Sequence, residues 1–307
     1  MNLRYAIVGT GAIGGYYGGR LANSGKDVHF LLNSDYNFVR QNGLKINSVN
    51  GNFCIKPINA YNSTIDMPQC DVIIVALKST QNNILPQILP PLLHNNSIII
   101  LVQNGLGLEA QLAKHFPATT IAGGMAFICS SKTGQGEIYH ADYGALNVGF
   151  FQNDNQTIMQ QIKADFEQSA VPFNINQDLN EARWRKLVWN MPYNGLCVAL
   201  NTTTDKLMQN ITSRQLVTDI MNEVVEGANA CGAIIERSFV DKMLNMTDKM
   251  RPYAPSMKLD FDNNRAMEIT AIYSNPIQMA KQAGYYMYKS EMLEQELLFI
   301  ESKQMSK

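Results

Sequence analysis

Near the start of the chain, Gly9-Thr10-Gly11-Ala12-Ile13-Gly14 places glycine at the first, third and sixth positions of a six-residue run. That spacing suits the first turn between a strand and a helix of a dinucleotide-binding domain. The first glycine makes the tight turn, the second lets the backbone approach a pyrophosphate, and the third lets helix and strand pack closely. The helix that follows supplies free N–H groups and a positive dipole end for the phosphates. The context fits, because an apolar strand precedes the run and a helical stretch follows it. The residues do not settle which dinucleotide is held. Strand two ends in Asn33-Ser34-Asp35. Asn33 and Ser34 can donate hydrogen bonds to a 2′-phosphate. Asp35 can hold ribose hydroxyls, or can begin the next helix as its N-cap, the reading favoured here.

Two further polar features stand at the ends of apolar strands. Lys78 closes one such strand, and Gln103-Asn104-Gly105-Leu106-Gly107 follows another. In open α/β sheets ligands bind beyond the carboxyl ends of strands. A third feature lies in the second half of the chain. Lys186, Asn190 and Asn194 are spaced i, i+4 and i+8, so they share one face of a helix. Their neighbours Leu187, Val188, Trp189 and Leu196 are apolar, which points this polar stripe toward a cleft rather than open solvent. Pro192 lies within the same stretch and disturbs the helix ladder near it.

The elements that must position these groups differ between the two halves. In residues 1–175, short apolar runs alternate with helical stretches. Arg4–Val8 reads as a strand, Ala12–Asn23 as a helix, and residues 28–32 as a second strand. Residues 71–76 and 97–102 are continuous apolar runs, as expected of strands covered on both faces of a parallel sheet. The stretch 79–93 between them reads as a helix limited by Pro86 and Pro90. Asn50-Gly51 between two β-rich runs marks a hairpin, and antiparallel strands are expected beyond Glu137. From about residue 178 the strand signals fade, and 181–199, 213–231, 239–250 and 267–284 carry helical spacing. The expected architecture is an α/β, Rossmann-type doubly wound domain over residues 1–175, followed by an all-helical domain over 176–307.

Composition narrows the function classes. The chain has 307 residues, 46% of them hydrophobic, with a formal net charge of -1. That length allows two domains with real cores. The near-neutral balance offers no attraction to nucleic acid or to an anionic membrane surface. Five cysteines are scattered without a CxxC pair, which fits a reducing compartment and gives no zinc pattern. No apolar run approaches the ~20 residues of a membrane span. A cytoplasmic location is expected. A homodimer is compatible with the sequence, and nothing in it sets the oligomeric state.

Taken together, these stretches resemble the ketopantoate reductase (2-dehydropantoate 2-reductase) family. The resemblance covers essentially the whole chain and rests on IVGTGAIGG, VALKSTQ, VQNGLG, WRKLVWNMPYNGL, and PSMKLD followed by RAMEI, in that order. It implies a Rossmann domain, a helical domain and an active site in the cleft between them. The implied reaction is reduction of 2-dehydropantoate to pantoate by NADPH, a step toward pantothenate and coenzyme A. By position, Lys186 resembles the general acid, Asn190 and Asn194 the substrate-binding asparagines, and Ser256 the serine that meets the substrate carboxylate. Asn104 resembles the asparagine shared by cofactor and substrate, and Glu268 the acidic residue that completes the site and reaches the cofactor. Gly9 to Gly14, Asn33 and Lys78 match cofactor positions. The chain departs from the family in two places. Asn33 stands where many members carry an arginine for the 2′-phosphate, and Tyr253 stands where an asparagine is common.

The chemistry can also be stated without the family. Hydride transfer to a ketone develops negative charge on the carbonyl oxygen, which a positioned acid must stabilise or protonate. The histidines, His29, His94, His115 and His140, all lie in the first half. His29 falls within strand two and the other three in loop or terminal contexts, so none forms a convincing dyad. Lys186 is the better donor. The resemblance implies a small 2-keto acid as the partner, and no metal is called for. Two alternatives stay open: a reductase of another 2-keto acid, which Tyr253 favours, and a non-catalytic dinucleotide-binding redox sensor, which would have no use for a proton donor.

Overall fold

The structure, a computed structural model, describes residues 2–252 and 254–305, so Tyr253 lies outside the described residues. Contacts divide the chain into two compact units. The first comprises the residues up to Gln103 together with Leu108–Leu179. The second comprises Asn104–Gly107 together with the chain from Asn180 onward.

The first unit is built on one sheet, ten-stranded among the described residues. Its strands are β1 (Arg4–Val8), β2 (Asp27–Leu31), β3 (Leu44–Ser48), β4 (Phe53–Ile55), β5 (Asn59–Tyr61), β6 (Val72–Val75), β7 (Ile98–Leu101), β8 (Thr120–Gly134), β9 (Glu137–Gln152) and β10 (Phe173–Asn176). Six of them run parallel in the order β5-β2-β1-β6-β7-β8. Counted along the chain this is 3-2-1-4-5-6, the Rossmann order. All four residues of β6 and of β7 are buried, as strands covered on both faces require.

Beyond β8 the sheet turns antiparallel. Strand β9 returns along β8, and the β3–β4 hairpin, inserted between the second and third parallel strands, joins β9 rather than its sequence neighbours. This far lip folds back over helix α1 (Ala12–Asn23), whose residues Gly14 to Leu21 are all buried. A Cβ on Gly18 would lie 2.6 Å from Ile7 Cγ1 in the parallel core, while one on Gly15 would lie 2.9 Å from Ile138 Cγ1 on β9. The helix is therefore enclosed on opposite sides, which explains why its sequence, GGYYGG, shows no polar face. Further helices of this unit are α2 (Tyr36–Asn42), α3 (Leu85–Ile88), α4 (Leu108–Ala113) and α5 (Gln156–Gln168).

Some local expectations need correction. The stretch 79–93 is not one helix. It is a 3-10 run over Ser79–Ile84, the single turn α3, and another 3-10 turn over Pro90–Leu92. Proline lacks a ladder N–H and clashes with the preceding turn, so no helix runs into Pro86 or Pro90 from before it, and α3, with Pro86 in its first turn, ends ahead of Pro90. His140 is not in a loop: it lies inside β9, fully buried, with Nδ1 2.8 Å from Ser48 Oγ. Strand β8 also went unread, because glycines at 123 and 124 and a polar far end hide it.

The second unit is helical: α6 (Leu179–Ala199), α7 (Thr204–Gln209), α8 (Ile211–Ala230), α9 (Ser238–Asp248), α10 (Ser256–Asp262), α11 (Asn275–Gln282) and α12 (Tyr288–Met305). Helix α6 runs unbroken through Pro192. The expected helix 267–284 begins instead with an irregular stretch and a π turn, Thr270–Ser274, before α11. Trp184, Leu187, Val188 and Met191 of α6 are buried in this unit's core with Val217, Ile220, Val224 and Tyr273.

Candidate active site

The glycine turn can be tested residue by residue. Gly9 has φ +98°, and a Cβ there would lie 2.7 Å from Leu77 N. A Cβ on Gly14 would lie 2.2 Å from the carbonyl oxygen of Gly9. The protein's own backbone thus demands glycine at both positions. Gly11 is different. Its backbone is extended (φ −88°, ψ −156°), and a Cβ would meet nothing within 4 Å. Packing does not explain Gly11, whereas close approach of a ligand does. It is the N-cap of α1, and no side chain caps the helix N–H groups there. A bare helix N-terminus facing open space fits a pyrophosphate. Thr10 Oγ1 donates to Leu31 O at 2.9 Å, tying the turn to the end of β2, and Ala12 and Ile13 open α1 half-buried.

The end of β2 resolves what Asp35 does. It occupies the N-cap position of α2, as expected, but its side chain caps nothing. Its buried carboxylate accepts from Gly136 N–H at 2.9 Å and pairs with Lys132 Nζ at 2.6 Å. These bonds, opposed by desolvation, hold its pKa below the usual carboxylate value. Asp35 is therefore committed to the β8–β9 turn, and Asn33 and Ser34 remain as the exposed groups after β2. Lys78 is half-buried at the N-cap of the 3-10 run that follows β6. Gln103, which opens the polar run after β7, joins the ends of β6 and β7: its Nε2 donates to Leu77 O at 2.8 Å and to Asn82 Oδ1 at 2.6 Å.

The remaining candidates, Asn104, Lys186, Asn190, Asn194, Ser256 and Glu268, all belong to the second unit. Asn104 opens a four-residue segment that packs on the π turn. Leu106 N–H donates to Ala271 O at 2.9 Å, and Asn275 Nδ2 donates back to Leu106 O at 2.7 Å. Gly105 is required there, because its φ is +96° and a Cβ would lie 2.3 Å from Ala271 O. Asn190 and Asn194 are buried along α6. Asn194 Oδ1 accepts the Met257 N–H at 3.0 Å. Helix α10 begins after Pro255, which cannot cap it, so Asn194 supplies the missing acceptor and holds Ser256 in place. This engages the oxygen of the Asn194 amide and leaves Nδ2 as its donor end.

Lys186 keeps some exposure, yet the protein around its ammonium pushes its pKa down to about 7. Burial is the largest cause. The buried Arg183, one turn earlier, adds to the lowering, and Glu268 opposes it. Arg183 falls at i−3 on the same face as Lys186, a position the motif reading left out. Glu268 is buried at the head of the π turn, where its carbonyl accepts the Ile272 N–H at 3.1 Å.

His29 and His140 are engaged within the first unit. In His29, Nδ1 meets Tyr61 Oη at 3.0 Å, and Nε2 lies 3.0 Å from Asp27 Oδ1 in a poor hydrogen-bonding geometry. Burial lowers the pKa of His29, and likewise that of His140. Among the described residues no three His, Cys, Asp or Glu side chains gather as a metal site needs. No helix there is long and apolar enough to cross a membrane.

Comparison with known proteins decides the family. The model of ketopantoate reductase PanE/ApbA matches residues 5–153, and that of its C-terminal part matches residues 178–301. The chain belongs to the ketopantoate reductase family. It is 45% identical over 305 residues to a 2-dehydropantoate 2-reductase of Nostoc sp., covering 98% of this chain and 96% of that one. The crystal structure of 2-dehydropantoate 2-reductase from Geobacter metallireducens superposes with a TM-score of 0.93 at 40% identity, covering 96% and 99% of the two chains. D-Mandelate dehydrogenase, in its ternary structure with NADH and anilino(oxo)acetate, shares the fold at 21% identity and a TM-score of 0.91, covering 98% and 99%. As a ketopantoate reductase family member the chain is an oxidoreductase, and its glycine turn is of the nicotinamide-dinucleotide type.

Proposed function

We propose that the chain reduces 2-dehydropantoate to pantoate with NADPH. The observation that carries this reading is Lys186, an ammonium desolvated to a pKa of about 7 and influenced by the buried carboxylate of Glu268, in the unit that also holds Asn190, Asn194 and Ser256. The substrate follows from the relatives of 45% and 40% identity, both named for that reaction.

A bound nicotinamide dinucleotide would supply the hydride for the 2-keto carbon. Gly9 to Gly14 would hold its pyrophosphate at the start of α1, with Asn33 and Lys78 as further contacts. As the carbonyl oxygen gains charge, Lys186 Nζ gives it a proton, completing a 2-hydroxy acid. A donor whose pKa lies near the working pH balances availability of the proton against ease of transfer. The burial that lowers this pKa also favours the neutral amine left behind. Asn190, Asn194 Nδ2 and Ser256 Oγ bind the carboxylate and hydroxyl of the substrate without adding charge that would compete for the proton. Asn104 and Glu268 complete the pocket, and the Glu268 carboxylate favours the protonated form of Lys186, opposing the burial and the Arg183 charge that lower its pKa.

The test is NADPH oxidation by the purified protein across a panel of 2-keto acids that includes 2-dehydropantoate. The highest kcat/KM is expected on 2-dehydropantoate. A clear preference for another 2-keto acid would reassign the substrate, and no turnover on any of them would remove the reductase reading.

A further inference from the structure

Helix α6 carries an irregularity in the middle of its polar stripe. Pro192 has no N–H, so the carbonyl of Val188 loses its ladder donor. One residue before Pro192, the carbonyl of Met191 accepts a hydrogen bond of 2.6 Å from a side chain outside the helix, the hydroxyl of Tyr273. Tyr273 is fully buried, and the same hydroxyl takes a backbone hydrogen bond from Gly195. In a regular helix Gly195 N–H is the ladder partner of Met191 O. A phenol hydroxyl is thus lodged at that rung. Gly195 makes room for it, since a Cβ there would lie 2.3 Å from Tyr273 Oη. A side chain inserted at the ladder is one of the few causes of a bend in a helix.

Tyr273 belongs to the π turn Thr270–Ser274, which Glu268 introduces. That turn is fixed on other sides too. Leu106 N–H, two residues after Asn104, donates to Ala271 O, and Ser274 Oγ hydrogen-bonds to the buried Glu294 of α12. Met267 N–H, just before Glu268, donates to Glu301 Oε1 at 2.7 Å. The turn is a rigid block that carries Glu268, and Tyr273 is its strut to the helix that carries Lys186. The two residues it meets, Met191 and Gly195, directly follow Asn190 and Asn194 in the sequence. Through Asn194 and Met257 the strut also reaches Ser256.

We propose that Tyr273 is a positioning residue: its hydroxyl, lodged at the Met191–Gly195 rung of α6, sets the local course of that helix and with it the placement of Lys186, Asn190 and Asn194 relative to Glu268. It touches neither substrate nor cofactor. This rests on the function proposed above, and the wild-type rate on the keto-acid panel tests that parent reading separately.

The test is Tyr273→Phe, which keeps the ring in its slot and removes only the oxygen. On the best substrate of the wild-type protein, kcat/KM falls roughly 10- to 100-fold, the scale of a misplacement of about 1 Å in an active site. KM for the keto acid rises, dinucleotide affinity is unchanged, and the pH at which the reduction rate falls moves away from its wild-type position. A second variant, Gly195→Ala, keeps the Tyr273 side chain and drives its hydroxyl from the rung with the new methyl group, which also presses on Leu293, the far end of a flexible side chain that can give way. It gives the same signature, and adding it to Tyr273→Phe costs little more, because both remove one interaction. A purely structural tyrosine would lower Tm in either variant with KM, kcat and pH profile at wild-type values. That result, or full additivity of the two changes, overturns the proposal.

Discussion

The glycine turn and the α6 stripe show two ways in which a chain presents chemistry. The turn is contiguous. Six adjacent residues make it, and the glycines divide cleanly: backbone contacts account for Gly9 and Gly14, and no protein contact accounts for Gly11. The stripe is assembled. Its groups come from positions 104, 186, 190, 194, 256 and 268, linked through Met257, Leu106 and the π turn. A contiguous site owes its shape to local backbone geometry, whereas an assembled one owes its shape to tertiary hydrogen bonds. The first should therefore fail only when its own residues change, and the second should be sensitive to residues that touch no ligand.

The largest effect expected from this contrast is at Lys186. Lys186→Ala lowers the rate constant of reduction by about 10²–10⁴, the usual contribution of a positioned general acid, with dinucleotide affinity left intact. The pH profile gives a second measure of the same group. The pKa of Lys186 is depressed, so the acid form is lost as pH rises through about 7. In the wild type, kcat/KM for reduction, which reports groups of the free enzyme, should fall as pH rises through that value, and the alanine variant should lose the inflection. Near-normal turnover without Lys186 would move the proton source to Glu268 or to water.

Next in size is Gly11→Val. The backbone at Gly11 is extended and nothing of the protein lies within 4 Å of a Cβ there, so the variant should fold with a Tm close to the wild type. Its side chain would occupy the space where a pyrophosphate meets the backbone. Calorimetry should show dinucleotide binding abolished; wild-type affinity in the folded variant would refute the assignment of the turn.

The smallest effect concerns cofactor choice. With Asp35 engaged by Lys132 and Gly136, the exposed Asn33 is left to meet a 2′-phosphate. A neutral amide holds phosphate less strongly than a guanidinium fork. NADPH should be preferred over NADH by a modest margin, and Asn33→Arg should widen it by roughly tenfold, about 1.4 kcal/mol. The kcat/KM ratio for the two cofactors, before and after the change, decides it.

How much of this was legible follows the same division. The strands β6 and β7 were readable because a parallel strand covered on both faces is a continuous apolar run. The hairpin β3–β4 announced itself through Asn50-Gly51. The 3-10 run after β6 was misread because helical spacing persists in the sequence while two prolines forbid the helix. Asp35 was legible in position and not in role, since its partners lie near residue 134, about a hundred positions away. Strand β8 and helix α12 were missed: one is interrupted by glycines, and the other exposes Tyr288, Met292, Leu298 and Phe299, which blurs its apolar stripe. In the site, residue types and spacing pointed to the α6 stripe, but no local signal pairs Tyr273 with Met191 across 82 positions.

The enclosure of α1 has a consequence for how the chain is made. Its glycine-rich surface is covered by Ile138 of β9, and β3 finds its partner in residues 137–140. During synthesis from the N-terminus, a nascent chain that ends before those residues holds the complete nucleotide-binding motif with one side of α1 bare and β3 without its neighbour. The first unit cannot close as its opening βαβ segment emerges and must wait for most of its length. Such long-range closure is slow, and in the interval it presents an apolar surface of the kind that chaperones bind.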